Sequence, residues 1–144
     1  MIYLRNHRIG PLKHVISKRQ FAALSNFRSQ LARFLRFSER AAYAAGIMPT
    51  QYLLLLHVRG FSGRDWATVG ELAERLQSSP HGTAALINRC VTQGLVVKRR
   101  SDADARCVEV HLTARGRRLV ERVALRHREE LQSLRDVLRV AHVS

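Results

Sequence analysis

The chain has 144 residues, with 25 Lys and Arg against 11 Asp and Glu, and so a formal net charge of +14. With 46% hydrophobic residues it can bury a real core, which excludes a disordered chain, and the charge excess favours a polyanionic partner. Two cysteines, Cys90 and Cys107, do not make a disulfide framework, and the longest apolar run, Tyr52 to Leu56, is far too short to span a bilayer.

Residues 1–17 are interrupted by Arg5, His7, Arg8 and Lys13 and broken by Gly10 and Pro11. They read as an irregular arm, not a signal peptide, and the expectation is a cytoplasmic protein with no membrane partner. From Lys18 to Ala45 the pattern is helical. Phe21, Leu24, Phe27, Leu31, Phe34 and Ser38 fall on one stripe, and Gly46 ends the helix. Pro49 to Val58 predicts a short buried helix that stops at Gly60, followed by a loop from Phe61 to Trp66. Thr68 and Glu71 have the spacing of a capping box, in which the hydroxyl bonds the Glu71 amide and the carboxylate reaches back. The short helix they open turns Val69, Leu72, Ala73 and Leu76 inward. After the turn Gln77–Ser79, Ser79-Pro80 supplies an N-cap and a first-turn proline for a second helix. Its inner face is Thr83, Leu86, Ile87 and Cys90, and Gly94 stops it.

Beyond Gly94 the period changes to two. Leu95–Arg100 and Arg106–Thr113 predict strands joined by the polar loop 101–105, with Val108, Val110 and Leu112 on one face and Glu109 and His111 on the other. Thr113 caps a last helix over Ala114–Ala141. Its seam is Val120, Val123, His127, Leu131, Leu134 and Leu138, a heptad-like repeat with one polar member.

Helix, turn, helix and hairpin make a winged helix-turn-helix. A helix of this size fits the major groove, where base edges carry the full donor and acceptor code. The residues also resemble the MarR (multiple antibiotic resistance regulator) family from about Leu24 to Leu138. Thr68–Leu76, TVGELAERL, is like the family's first helix of the reading motif, and Leu86–Val96, LINRCVTQGLV, resembles its LVDRLEARGLV pattern. Asp104–Gly116, DARCVEVHLTARG, matches D-x-R-x-x-x-V-x-L-T-x-x-G.

The resemblance implies a mainly α fold with a small β-hairpin wing, and a homodimer built from amino- and carboxy-terminal helices. It divides the chain into an arm (1–17), an N-terminal dimerisation helix (18–46), a DNA-binding winged domain (47–113) and a C-terminal dimerisation helix (114–144). The function implied is a transcriptional regulator, acting as a repressor on a pseudo-palindromic duplex site. Ser79, His81, Gly82, Ala84, Ala85, Asn88 and Arg99 are then candidate DNA-binding residues, with Arg106 entering the minor groove at the wing tip, held by Asp104. Methyls of Ala84 and Ala85 suit thymine, and Asn88 suits adenine. Ala85 stands where many members have Arg, Gly82 where they have Ser or Thr, and Cys90 where Leu is usual. Met48 replaces a capping Thr, which predicts a weaker cap on the second helix.

Relatives take small aromatic acids, and Phe34, Phe37, Arg40 and Tyr43 are the candidate effector residues by that analogy. The seven histidines include no tight ligand pair, so no metal or cofactor is expected. No phosphate loop, GxSxG or GxGxxG is present, and an enzyme is not expected. Redox sensing would need an exposed thiol beside positive charge. The alternative to a DNA regulator is a basic winged-helix module that binds RNA or protein.

Overall fold

A computed structural model of the chain describes residues 15–128, 130–132 and 135. Most of the predicted arm, and Leu134 and Leu138 of the predicted seam, lie outside the described residues. The element order is α1 (Lys18–Ala44), α2 (Pro49–Arg59), β1 (Trp66–Thr68), α3 (Val69–Leu76), α4 (Pro80–Thr92), β2 (Val96–Arg100), β3 (Val108–Leu112) and α5 (Ala114–Arg126). The chain is mainly helical with one small antiparallel sheet, ordered β1-β3-β2.

The helix ends follow from local chemistry. Ser17 opens α1: its hydroxyl accepts from the Gln20 amide, and the Gln20 side chain accepts from the Ser17 amide at 2.9 Å. Met48 has no oxygen to cap α2, but Gln51 keeps the other half of the device and accepts from the Met48 amide at 2.9 Å. Gln51 is buried, and its amide also donates to Gln93 beyond α4 at 3.1 Å. The expected weak cap is thus partly made good from inside the helix.

The core gathers on α2, whose Leu54, Leu55 and Val58 are fully buried against Leu72, Ile87, Leu95, Val96, Val110, Val120 and Val123. Burying each such side chain contributes about 1.5–3 kcal/mol. Cys90 is one of these core residues.

The sheet has one strand more than the expected hairpin. Trp66, Ala67 and Thr68 pair with His111, Val110 and Glu109 of β3, which turns the end of the predicted loop into β1. The loop before it is pinned by charge. Arg64 lies over the rings of Phe61 and Trp66 and pairs with Glu71, while Asp65 accepts from Arg59 of α2 at 2.9 Å and Arg117 of α5 at 3.1 Å. No described helix is long and apolar enough to cross a membrane.

α5 is seated on the joint between α4 and β2. The Thr113 hydroxyl donates to the Gly94 carbonyl at 2.7 Å and accepts from the Gly116 amide at 3.0 Å. The Thr113 amide donates to the Leu95 carbonyl at 3.1 Å. Gly116 faces that same carbonyl so closely that a Cβ would lie well inside 3.0 Å of its oxygen.

Candidate nucleic-acid interface

α3 and α4 meet at a tight turn. Gln77 ends α3 in the left-handed region, with φ 51° and ψ 44°, and the Ser78 amide donates back to the Ala73 carbonyl. This is a conformation that a residue with a Cβ rarely adopts. Ser79 then caps α4: its hydroxyl accepts from the Gly82 amide at 3.0 Å, and its carbonyl accepts from the Thr83 hydroxyl at 2.9 Å. Thr83 is fully buried, so this bond fixes the angle at which α4 leaves the turn. A Cβ at Gly82 would meet the Ser79 and Ser78 hydroxyls at 3.1 and 3.2 Å, so glycine leaves the Ser79 hydroxyl free to cap α4.

Thr83, Leu86, Ile87 and Cys90 hold α4 to the core, which turns the other face outward. His81, Ala85 and Asn88 lie exposed along one line, with Gly82 beside them and Ala84 half-buried at the edge. The first turn of α4 carries no acidic residue, and its amino end points free of the fold. Arg89 is exposed on this same face and is not among the sequence-derived candidates, although it follows Ala85 by one helical turn.

The wing divides its basic residues between two faces. Residues directly opposite in an antiparallel pair share a face. Lys98 stands opposite the buried Val110, and Arg100 opposite Val108, on the side that faces α4. Arg99 stands opposite Glu109 on the other side, near His111, which Glu109 engages at 2.9 Å and on which Trp66 stacks. The structure therefore places Lys98 next to the candidate residues of α4 and Arg99 away from them. Lys98 reaches α4 itself, and its ammonium donates to Asn88 Oδ1 at 2.8 Å.

At the tip, Asp104 holds Arg106 through the main chain. Its carboxylate accepts from the Arg106 backbone amide at 3.0 Å, and the Asp104 amide donates to the Ser101 hydroxyl at 3.3 Å. The Arg106 guanidinium is exposed and joins no ion pair among the described residues. The same carboxylate lies 3.7 Å from the Cys107 sulfur, and its charge pushes that thiol above its ordinary pKa. Burial pushes Cys90 up to about 11. Neither thiol has the thiolate character that oxidant sensing requires.

The candidate effector residues separate. Phe34 and Phe37 of α1 set their ring edges on His127, at 5.8 and 5.4 Å between centroids, and Tyr52 of α2 stacks on it at 5.5 Å. Arg40 is exposed, and Tyr43, 57% exposed, lies on another face of α1. His127 is only 6% exposed. Its Nδ1 lies 2.8 Å from the Val123 carbonyl, which can only accept, so Nδ1 carries the proton. Nε2 is buried with no described partner. Among the described residues, no group of three or more His, Cys, Asp or Glu side chains could hold a metal.

Comparison with curated proteins gives no match. Solved structures with similar folds include AbsC, a MarR family transcriptional regulator from Streptomyces coelicolor, at 19% identity and a TM-score of 0.68 over 87% of this chain and 93% of that one. A MarR family protein from Bacillus stearothermophilus matches at 24% identity and a TM-score of 0.69, over 83% and 82% of the two chains. A cysteine-to-serine mutant of MarR from E. coli, complexed with operator DNA, matches at 18% identity and a TM-score of 0.62, over 83% of each. Residues 45–106, from the end of α1 to the wing tip, match the MarR family model, and the solved structures of that family share the fold of this chain.

Proposed function

We propose that the protein is a sequence-specific duplex-DNA-binding regulator of transcription that acts as a homodimer on a pseudo-palindromic operator. The observation that carries this reading is the outer face of α4, capped by Ser79, free of acidic residues in its first turn and flanked by the basic wing. Ser79, His81, Gly82, Ala84, Ala85 and Asn88 present this face to the major groove. Arg106 serves the minor groove and Arg99 the flanking backbone. The operator-bound E. coli relative supports the assignment.

Exposed apolar side chains support the dimer. Phe21 and Leu24 on α1 are 56% and 54% exposed in the single chain, and Leu125 and Leu131 are also uncovered. A stripe of this kind is ordinarily covered by a partner. Two reading helices about 34 Å apart would address successive major grooves. Occupying an operator in this way makes repression the expected outcome. The Nε2 of His127, which has no partner among the described residues and lies among three aromatic rings, supports release by a small aromatic ligand that brings a hydrogen-bond donor.

The test is a titration of the full chain with duplex DNA from upstream of its own gene, against random duplex and duplex RNA, at about 150 mM salt. Preference for the upstream DNA by about 1,000-fold supports a specific regulator. Equal weak binding to all three, or preference for RNA, overturns it.

A further inference from the structure

We infer that Asn88 and Lys98 act as one donor-only reading unit, suited to a guanine edge and unsuited to adenine. The inference rests on the DNA-binding reading above and specifies the base that this part of the surface takes.

An asparagine reads adenine with both ends of its amide: Oδ1 receives the exocyclic amino group while Nδ2 donates to N7. Here Oδ1 is engaged. Lysine has no acceptor, so the atom facing its ammonium at 2.8 Å must be the amide oxygen, which leaves Nδ2 pointing away. Adenine would have to bring its amino group up to an oxygen that already holds a cation, donor against donor. Guanine offers O6 and N7, two neighbouring acceptors, one for Nδ2 and one for the ammonium. Backbone phosphate oxygens share this acceptor chemistry.

The placement of Lys98 makes the pairing a consequence of the sheet. Lys98 shares the inner face of β2 with Val96, and although it is exposed, its ammonium reaches across to α4. It is a positioning residue for Asn88 as well as a donor. Asn88 is further anchored, because its carbonyl accepts from the Thr92 hydroxyl at 3.0 Å.

The test selects bound sequences from a pool of random duplexes with the full-length wild-type protein and with Asn88→Ala, Lys98→Met and Lys98→Arg. Lys98→Met keeps the stem and removes the ammonium, and thermal melting verifies that each variant folds. The expected wild-type result is guanine at a half-site position that becomes indifferent in Asn88→Ala. Changing that guanine to adenine weakens wild-type binding about tenfold or more. Lys98→Met moves the preference toward adenine, and Lys98→Arg keeps guanine. Replacing the guanine by 7-deazaguanine weakens wild-type binding and leaves Asn88→Ala unchanged. Adenine at the Asn88-dependent position of the wild type, or an unchanged preference in Lys98→Met, overturns the inference. So does weakening by a neighbouring methylphosphonate with none by 7-deazaguanine, which would make the unit a phosphate clamp. If no variant and no wild type enriches any sequence, the DNA-binding reading falls and the inference with it.

Discussion

Replacing Gly116 by alanine adds one methyl group at the tightest glycine position among the described residues. That carbon would lie far inside 3.0 Å of the Leu95 oxygen and 3.0 Å from its carbonyl carbon, where real contacts stay above 3.0 Å. Both obstacles are backbone, so no side chain can swing aside, and α5 must draw back from the α4–β2 joint by about 1 Å or more. The bond from the Thr113 amide to Leu95, now 3.1 Å, does not survive that movement, and loses about 1 kcal/mol. The cap from Thr113 to the Gly116 amide moves with it and contributes about 1 kcal/mol. Shearing Val120 against the buried Leu95 and Val96 adds about 1–3 kcal/mol. Alanine's better helix propensity offsets at most about 1 kcal/mol. The net loss is about 2–4 kcal/mol, or a fall of roughly 10 °C in Tm for a chain of this size. Thermal and urea denaturation followed by circular dichroism, at one fixed protein concentration, measures it. A fall below about 3 °C would show that α5 can shift freely, and would refute the claim that this contact seats the helix.

Gly70 provides the opposite case. It lies in the first turn of α3 with nothing within 4 Å of an added Cβ, so Gly70→Ala should raise stability by about 0.5–1 kcal/mol in the same melts. Glu71 has its carboxyl held down to about 2 from 4.5, first by the Arg64 guanidinium and then by the Thr68 amide and hydroxyl. A lowered folded-state pKa stabilises above pH 4.5 and is lost as the pH falls from 4.5 toward 2. The advantage of wild type over Glu71→Gln in urea melts should therefore be larger at pH 7 than at pH 3, and an equal difference at both would contradict the ion-pair origin. Peroxide treatment should leave DNA binding unchanged, since Cys90 is buried with its pKa near 11 and Cys107 faces Asp104. An inhibition that dithiothreitol reverses would disprove this.

The parts of the fold that are legible in the sequence are those fixed by near neighbours in the chain. The Thr68–Glu71 capping box, the Ser79-Pro80 start of α4 and the change of period after Gly94 each state their geometry within a few residues. β1 is not legible, because three residues cannot display alternation and its partner β3 lies some forty positions away. The outer face of α4 can be read from the spacing of Thr83, Leu86, Ile87 and Cys90, and that same spacing exposes Arg89, which the candidate set omits. Lys98 and Arg99 are neighbours in sequence, and only the register with β3 decides which of them faces α4. The Asn88–Lys98 contact is a side-chain fact between two elements, and no periodicity encodes it. For the same reason the sequence pairs Asp104 with Arg106 without saying how, and it is the main chain of Arg106 that the carboxylate holds.

α5 connects the two ends of the proposed mechanism. It begins on Gly94 and Leu95, the joint between the helix that carries Asn88 and the strand that carries Lys98. At its far end stands His127, among Phe34 and Phe37 of α1 and Tyr52 of α2. Thirteen helical residues span about 20 Å between these points. A ligand shifts an equilibrium only through contacts that differ between two states. One that donates to His127 Nε2 gains a bond that the closed ring cluster lacks, and it must part those rings to do so. The near end of α5 cannot slide on Leu95, because Gly116 already leaves no space there. Under the proposed function, a ligand at His127 would act on the DNA-facing surface through α5, whose near end is seated on the α4–β2 joint.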